Sequence, residues 1–154
     1  MVIASSGNGA QANEMGSPAC LSNVIAVAAT NDTDAPFVLN NRNSELDFFA
    51  PCVVVSTSSL PVNTMSSSSE TSVSAAHLSA AWAVMKSKEP TASLTKIENA
   101  FINTGVPITQ GLFTKPRINL TAALGQLTAV VQLPIPLPSN RLEFLPAIYF
   151  ILND

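Results

Sequence analysis

Ser72 stands between a serine-rich run, Ser67-Ser68-Ser69-Glu70-Thr71, and a stretch of small and apolar residues that closes on Lys86-Ser87-Lys88. A hydroxyl at the head of such a stretch can attack a carbonyl if a base takes its proton and a donor steadies the resulting oxyanion. An ordinary helix cap is the competing reading of Thr71 and Ser72, because serine caps are common and nucleophiles rare. The chain's single histidine, His77, lies five residues on. Along a helix that is a turn and a half from Ser72 and on another face, so a packed or hydrogen-bonded helix histidine is expected rather than a base. Two cysteines and one histidine lack any ligand spacing, so no metal site is expected. No cofactor motif is present either.

The element that must carry Ser72 is a helix over Thr71–Lys88. Hydroxyl residues favour its start, where free N–H groups need acceptors, and lysines suit its end, where they complement the dipole. Val73, Ala75, Ala76, Leu78, Ala80, Ala81, Trp82, Ala83, Val84 and Met85 make it apolar on nearly every face, which predicts a helix buried all round. Ser58 to Ser69 is expected to be the loop that delivers Ser72.

Elsewhere strands alternate with helices. Val2–Ser5 and Val24–Thr30 are apolar runs, the second typical of a parallel strand covered on both faces. Gly7-Asn8-Gly9 forces a turn, and a loop from Ala10 to Asn23 follows. Asn31 to Pro36 is a turn, Phe37-Val38-Leu39 begins an extended piece, and Asn40 to Ser44 reads as a surface loop. Asp47–Ala50 and Val53–Thr57 are strands separated by Pro51, which marks an edge or bend. A second helix starts at Pro90-Thr91-Ala92-Ser93, with Leu94, Ile97 and Phe101 on its apolar face and Gly105 as its carboxyl cap. A third runs from Asn119 to about Thr128, with Leu120, Ala123, Leu124 and Leu127 inward. This is an α/β pattern with a mainly parallel sheet, in which ligands bind at the strands' carboxyl ends; Asn8 and Ser72 both fall there.

Only 11% of the 154 residues are charged while 47% are hydrophobic, and the net charge is −3. With no basic cluster, nucleic acid is not an expected partner. No apolar run reaches membrane-spanning length, and no secretory signal precedes Met1-Val2, so any export signal is expected to lie upstream or never to have existed. Gln132 to Pro138 alternates proline with apolar residues and favours polyproline II; Leu142 to Leu152 is an apolar tail. Cys20 and Cys52 could form one disulfide in an oxidising compartment. Free thiols packed as small hydrophobes are the preferred alternative, since disulfide geometry is demanding.

Thr71-Ser72-Val73-Ser74-Ala75-Ala76-His77-Leu78-Ser79-Ala80 resembles the Gly-Thr-Ser-Met-Ser/Ala-Ala/Ser-Pro-His-Val-Ala-Gly signature of the subtilisin-like serine proteases. Ala4-Ser5-Ser6-Gly7-Asn8-Gly9 is similar to that family's Ala-Ala-Gly-Asn-x-Gly turn. Gly16-Ser17-Pro18-Ala19-Cys20 with Asn23 to Thr30 resembles the passage forming the floor of the specificity pocket and the next strand. Glu45 to Pro51 is similar to the strand before the nucleophile loop, and Asn103 to Ile108 with Lys115 to Leu124 to the closing segment of bacterial members.

The resemblance implies a three-layer subtilisin-like fold, present as the carboxyl-terminal half, with residues 1–124 the partial peptidase domain and 125–154 a helix end plus tail. It implies Ser72 as nucleophile, Asn8 as oxyanion donor, and Ser5, Ser6, Gly7, Gly16, Ser17 and Thr71 as substrate-binding residues. It further implies a peptide substrate, a secreted enzyme, a cis Ser17–Pro18 bond, and a partner amino-terminal half carrying the aspartate and histidine of the triad. The chain alone is then expected to be inactive, the alternative being a non-catalytic remnant that acts as a binding or interaction module. Cys52, Ala76 and Ala80 depart from the family pattern. So does Glu70, which stands where the family has glycine and puts a carboxylate beside the hydroxyl, on a backbone position where glycine was free.

Overall fold

The computed structural model describes residues 1–59 and 64–128. Strands β1 (Val2–Ser5), β2 (Val24–Thr30) and β3 (Phe48–Pro51) pair in parallel. After β3 the chain leaves this sheet as an antiparallel ribbon, β4 (Val53–Ser59) and β5 (Thr64–Ser69), and enters helix α1 (Thr71–Lys88). Helix α2 (Leu94–Thr104), strands β6 (Val106–Gln110) and β7 (Phe113–Arg117), and the short helix α3 (Leu120–Leu124) complete the order. The main sheet runs β1-β2-β3-β7-β6, with β7 parallel to β3 and β6 antiparallel to β7. It is the α/β fold with a mainly parallel sheet that the alternation of elements predicts. The Ser17–Pro18 peptide is cis, also as expected.

One face of the sheet carries Val27, Phe48 and Ala50 against Leu78, Trp82 and Met85 of α1 and Ile97, Ala100 and Phe101 of α2. The other face, with Ala26, Ala28 and Phe49, is covered by Met15, Ala19 and Leu46 from the connecting loops. β2 lies between two parallel neighbours and is buried at six of its seven residues, which explains its uninterrupted apolar run.

Helix α1 has the predicted limits but not the predicted burial. Only Thr71, Ser74, Leu78, Ala81, Trp82 and Met85 are buried, a stripe at helical spacing along one face. Ala76, Ala80, Ala83 and Val84 are exposed. Alanine fits either environment, so a composition of small residues could not tell a stripe from full burial.

Other expectations are corrected in the same way. Residues 58–69 are not one loop but fall largely within the β4–β5 ribbon. Val38 and Leu39 form a turn rather than a strand. Asn40 is wholly buried, its carboxamide pairing with both the N–H and the C=O of Ala29 and with Gln110. In α2, Ile97 and Phe101 point inward, but Leu94 in the first turn is half exposed. Gly105 does cap α2 through its N–H to the Phe101 carbonyl, yet its φ of −68° is open to any residue. Glycine is needed there for close approach, since a Cβ would sit 2.5 Å from Pro116. Helix α3 ends at Leu124, short of Thr128, although Ala123 and Leu127 are buried as expected. The proline-rich and apolar tail, residues 129–154, lies outside the described residues.

Glu89, just past the end of α1, ties three elements together. Its carboxylate accepts from Lys96 Nζ of α2 at 2.7 and 2.8 Å and from the Thr128 N–H at 2.9 Å. The Lys96 hydrogen bond holds the Glu89 carboxyl below its ordinary range. A depressed carboxylate stabilises the fold above the unfolded-state value, roughly 4.3, and that contribution is lost as pH falls through the folded value. Urea unfolding of the wild type should therefore show a loss of stability below about pH 4.3 that is reduced in Glu89→Gln. Equal slopes in the two proteins would contradict this.

Candidate active site

β1 ends at Ser5, and Gly7, at φ +104°, turns the chain so that Asn8 projects toward the amino end of α1. Glycine is required at this turn, because a side chain rarely adopts that angle and the Asn41 side chain fills the space a Cβ would take. Asn41 clamps the turn from the other side: its Oδ1 accepts from the N–H groups of Gly9 and Gln11, and its own N–H reaches the Gly7 carbonyl.

The Asn8 carboxamide then meets α1. Its Oδ1 accepts from the Thr71 N–H at 3.0 Å and from the Thr71 hydroxyl at 2.9 Å, while Thr71 Oγ1 accepts from the Gly7 N–H at 3.3 Å. The residue at the helix cap position, Glu70, makes no capping hydrogen bond with its side chain. The free N–H at the head of α1 is therefore satisfied across the fold, by a residue 63 positions away. With Oδ1 held by Thr71, the Asn8 Nδ2 is the end left to donate elsewhere, and Ser72 is the next residue along.

Ser72 is exposed, and its hydroxyl donates to Glu70 Oε2 at 3.4 Å. Glu70 sits at φ −147°, ψ 160°, extended backbone that any residue adopts, so replacing the family's glycine strains nothing. His77 Nδ1 lies 3.1 Å from the Val73 carbonyl. It is a helix histidine bonded to its own preceding turn, as its spacing predicts, and no hydrogen bond links it to Ser72 among the described residues.

Ser74 is the residue that sequence reasoning missed. Wholly buried, it donates to the carbonyls of Ala50 and Pro51 at 2.9 and 3.0 Å and so fastens the first turn of α1 to the end of β3. The signal was a polar residue three positions after Thr71, on the buried stripe. Thr71, also wholly buried, belongs to the same anchoring. Thr71→Val keeps the side chain's shape and the N–H bond to Asn8, but removes the hydroxyl's bond to Asn8 and the acceptor for Gly7. The expected cost is about 1–2 kcal/mol in denaturant unfolding, and an unchanged midpoint would show that the hydrogen bonds of the Thr71 hydroxyl contribute nothing net.

The remaining candidates are spread around this centre. Ser5 and Gly7 are half-buried, while Ser6 is wholly buried with a hydroxyl that has no partner among the described residues. Gly16 and Ser17 are exposed in a separate loop, and the Gly16 carbonyl accepts from the Cys20 N–H. Cys20 and Cys52 are both free thiols. Cys52 packs as a buried apolar residue, but Cys20 is exposed and so departs from that expectation. Burial pushes the Cys52 thiol above its ordinary value, aided by the charge of Asp32. Among the described residues no three His, Cys, Asp or Glu side chains gather to hold a metal ion, and no helix is long and apolar enough to cross a membrane.

The model of the subtilase family of peptidases matches residues 1–127. The chain is 32% identical over 127 residues to subtilisin DY of Bacillus licheniformis, covering 80% of this chain and 46% of that one. It is 32% identical over 124 residues to subtilisin BL of Lederbergia lenta, covering 80% and 45%. With alkaline elastase YaB of Bacillus sp. (strain YaB) the identity is 35% over 104 residues, 68% of this chain and 27% of the relative. The chain thus spans about half or less of the length of these relatives. Its fold is similar to that of the prenylagaramide maturation protease PagA, with a TM-score of 0.69 and 21% identity over 84% of this chain and 51% of that one. By the family model and by these relatives, the chain belongs to the subtilase family.

Proposed function

We propose that this chain is the nucleophile-bearing and oxyanion-bearing part of an extracellular serine endopeptidase. Ser72 Oγ attacks the peptide carbonyl, and the bond to the leaving nitrogen breaks as the acyl-enzyme forms. The Asn8 Nδ2 and the Ser72 N–H, at the positive end of α1, hold the developing oxyanion. An amino-terminal half of the peptidase domain contributes the histidine that takes the Ser72 proton and passes it to the leaving nitrogen, and the aspartate that orients it; water then hydrolyses the acyl-enzyme and restores the Ser72 hydroxyl. Ser5, Ser6, Gly7, Gly16, Ser17 and Thr71 shape the bed for the peptide.

One observation carries this reading. The Asn8 amide oxygen accepts both from the N–H and from the hydroxyl of Thr71, the residue before Ser72, which leaves its Nδ2 as the group free to donate and supports the reading of Asn8 as the oxyanion donor.

Fluorophosphonate labelling tests it. The isolated chain is expected to remain unlabelled, and co-expression with an amino-terminal subtilase segment carrying the aspartate and histidine is expected to restore labelling. Ser72→Ala should abolish it. Absent labelling after a stable complex has formed, with peptide binding retained near Gly16 and Ser17, would instead assign a non-catalytic binding module.

A further inference from the structure

Glu70 has no structural task among the residues whose side chains are described. It occupies the cap position of α1, yet its carboxylate makes no capping bond, and its extended backbone is open to any residue. Among residues whose side chains are described, its carboxylate accepts from the Ser72 hydroxyl, at 3.4 Å. A negative charge is therefore held one side chain away from the atom that would attack a carbonyl.

That charge has no partner within the described residues. Six of the chain's seven basic residues are described. Lys96 and Arg117 are paired with Glu89 and Asp34. Lys86 donates to the carbonyls of Pro90 and Ala92, Lys115 to that of Ser44, and Arg42 to that of Asn40. Lys88 ends the same helix, roughly 25 Å away at 1.5 Å per residue. Left uncompensated, a carboxylate so near Ser72 opposes the negative charge of an oxyanion. A cation brought by the peptide would remove that opposition at the place where it acts.

We infer that Glu70 selects peptides carrying a lysine or arginine side chain next to the scissile bond, a preference that rests on the reading of Ser72 as the nucleophile. Both long side chains can reach an exposed carboxylate from a neighbouring peptide position, whereas a norleucine of similar shape gains nothing from the charge and a glutamate is repelled. Because the pair is solvent-exposed, the expected discrimination is modest, roughly two- to fivefold for lysine over norleucine and similar in the opposite sense for glutamate.

The experiment is a titration of the isotopically labelled chain with three peptides, Ac-Ala-Ala-Lys-Ala-amide and its norleucine and glutamate counterparts. The backbone resonances of Thr71, Ser72 and Val73 are followed. The lysine peptide is expected to shift them and to bind roughly two- to fivefold more tightly than the norleucine peptide at low salt. The advantage should vanish in Glu70→Gln, whose helix content by circular dichroism should match the wild type. Absence of shifts with the lysine peptide, equal affinity for lysine and norleucine, or a lysine advantage that survives Glu70→Gln would each overturn the inference. This readout needs no hydrolysis, so the two readings fail separately. If complementation restores labelling of Ser72 while the peptides bind alike, the selectivity is wrong and the catalytic reading stands. If labelling never returns while the lysine advantage holds, the cation site survives without the catalysis.

Discussion

Replacing Asn8 with alanine, in the chain complemented by an amino-terminal subtilase half, is expected to lower kcat by ~10²–10³ and leave KM nearly unchanged. The magnitude is taken over from subtilisin, a member of the same family, in which removal of one such donor has that effect. A donor that meets the oxyanion but not the ground-state carbonyl changes kcat and kcat/KM together. Asn8 also has a second role, because its Oδ1 accepts from both the N–H and the hydroxyl of Thr71. Alanine would leave those donors without their acceptor, so a loss of about 1–2 kcal/mol in stability should accompany the kinetic loss.

Asn8→Asp separates the two roles. An aspartate keeps an acceptor for Thr71, and its charge sits favourably at the head of α1. Stability should be retained while kcat falls at least as far as in the alanine variant, because the N–H donor is gone and a negative charge faces the oxyanion. Steady-state kinetics together with urea unfolding of both variants decide the matter. Normal turnover in Asn8→Asp would remove Asn8 from the chemistry and leave it as a helix cap supplied from another strand.

The largest expected effect on stability comes from Phe101→Ala. Phe101 is wholly buried in α2, edge-on to Phe48 of β3 with ring centroids 6.2 Å apart and tilted against Trp82 of α1 at 5.8 Å. It is the point where both long helices meet the sheet. Truncation leaves a cavity bordered by two aromatic rings, and the expected cost is about 3–5 kcal/mol. Against the stability of about 5–15 kcal/mol usual for a domain, that is a large share. Phe101→Leu, which refills part of the space, should cost distinctly less. The urea midpoint is the measurement, and a loss below about 1 kcal/mol for the alanine variant would mean that this junction collapses to fill the gap or contributes little to the fold.

Much of the site was legible before any fold was known, and the reasons are local. Gly7 before Asn8 announces a turn because the backbone angle there is one that glycine alone adopts easily. The limits of α1 follow from the lysines at its end and the change of composition at Thr71. The apolar run Val24–Thr30 reads as an interior parallel strand because both its faces are covered. The order of the family motifs then joins these pieces to one family.

Other features were hidden because they depend on partners far along the chain. Residues 58–69 are rich in serine, and serine marks a loop by local preference; pairing between β4 and β5 overrode it. Asn40 sits in a polar stretch, yet it is buried because the edges of Ala29 and Gln110 satisfy its carboxamide. The strain expected of Glu70 did not arise, since the backbone there is extended.

By itself, the sequence determined the α/β class, the helix that carries Ser72, the turn that carries Asn8 and the family to which both motifs point. Turn preference, helix ends and apolar runs are written in a few neighbouring residues, so those could be read. Only the tertiary structure decided which face of α1 is buried, that Ser74 fastens it to β3, and that Asn8 caps it through Thr71. Each of these is a contact between residues remote in the chain, and such contacts are set by how the sheet and helices pack, which no local pattern of side chains encodes.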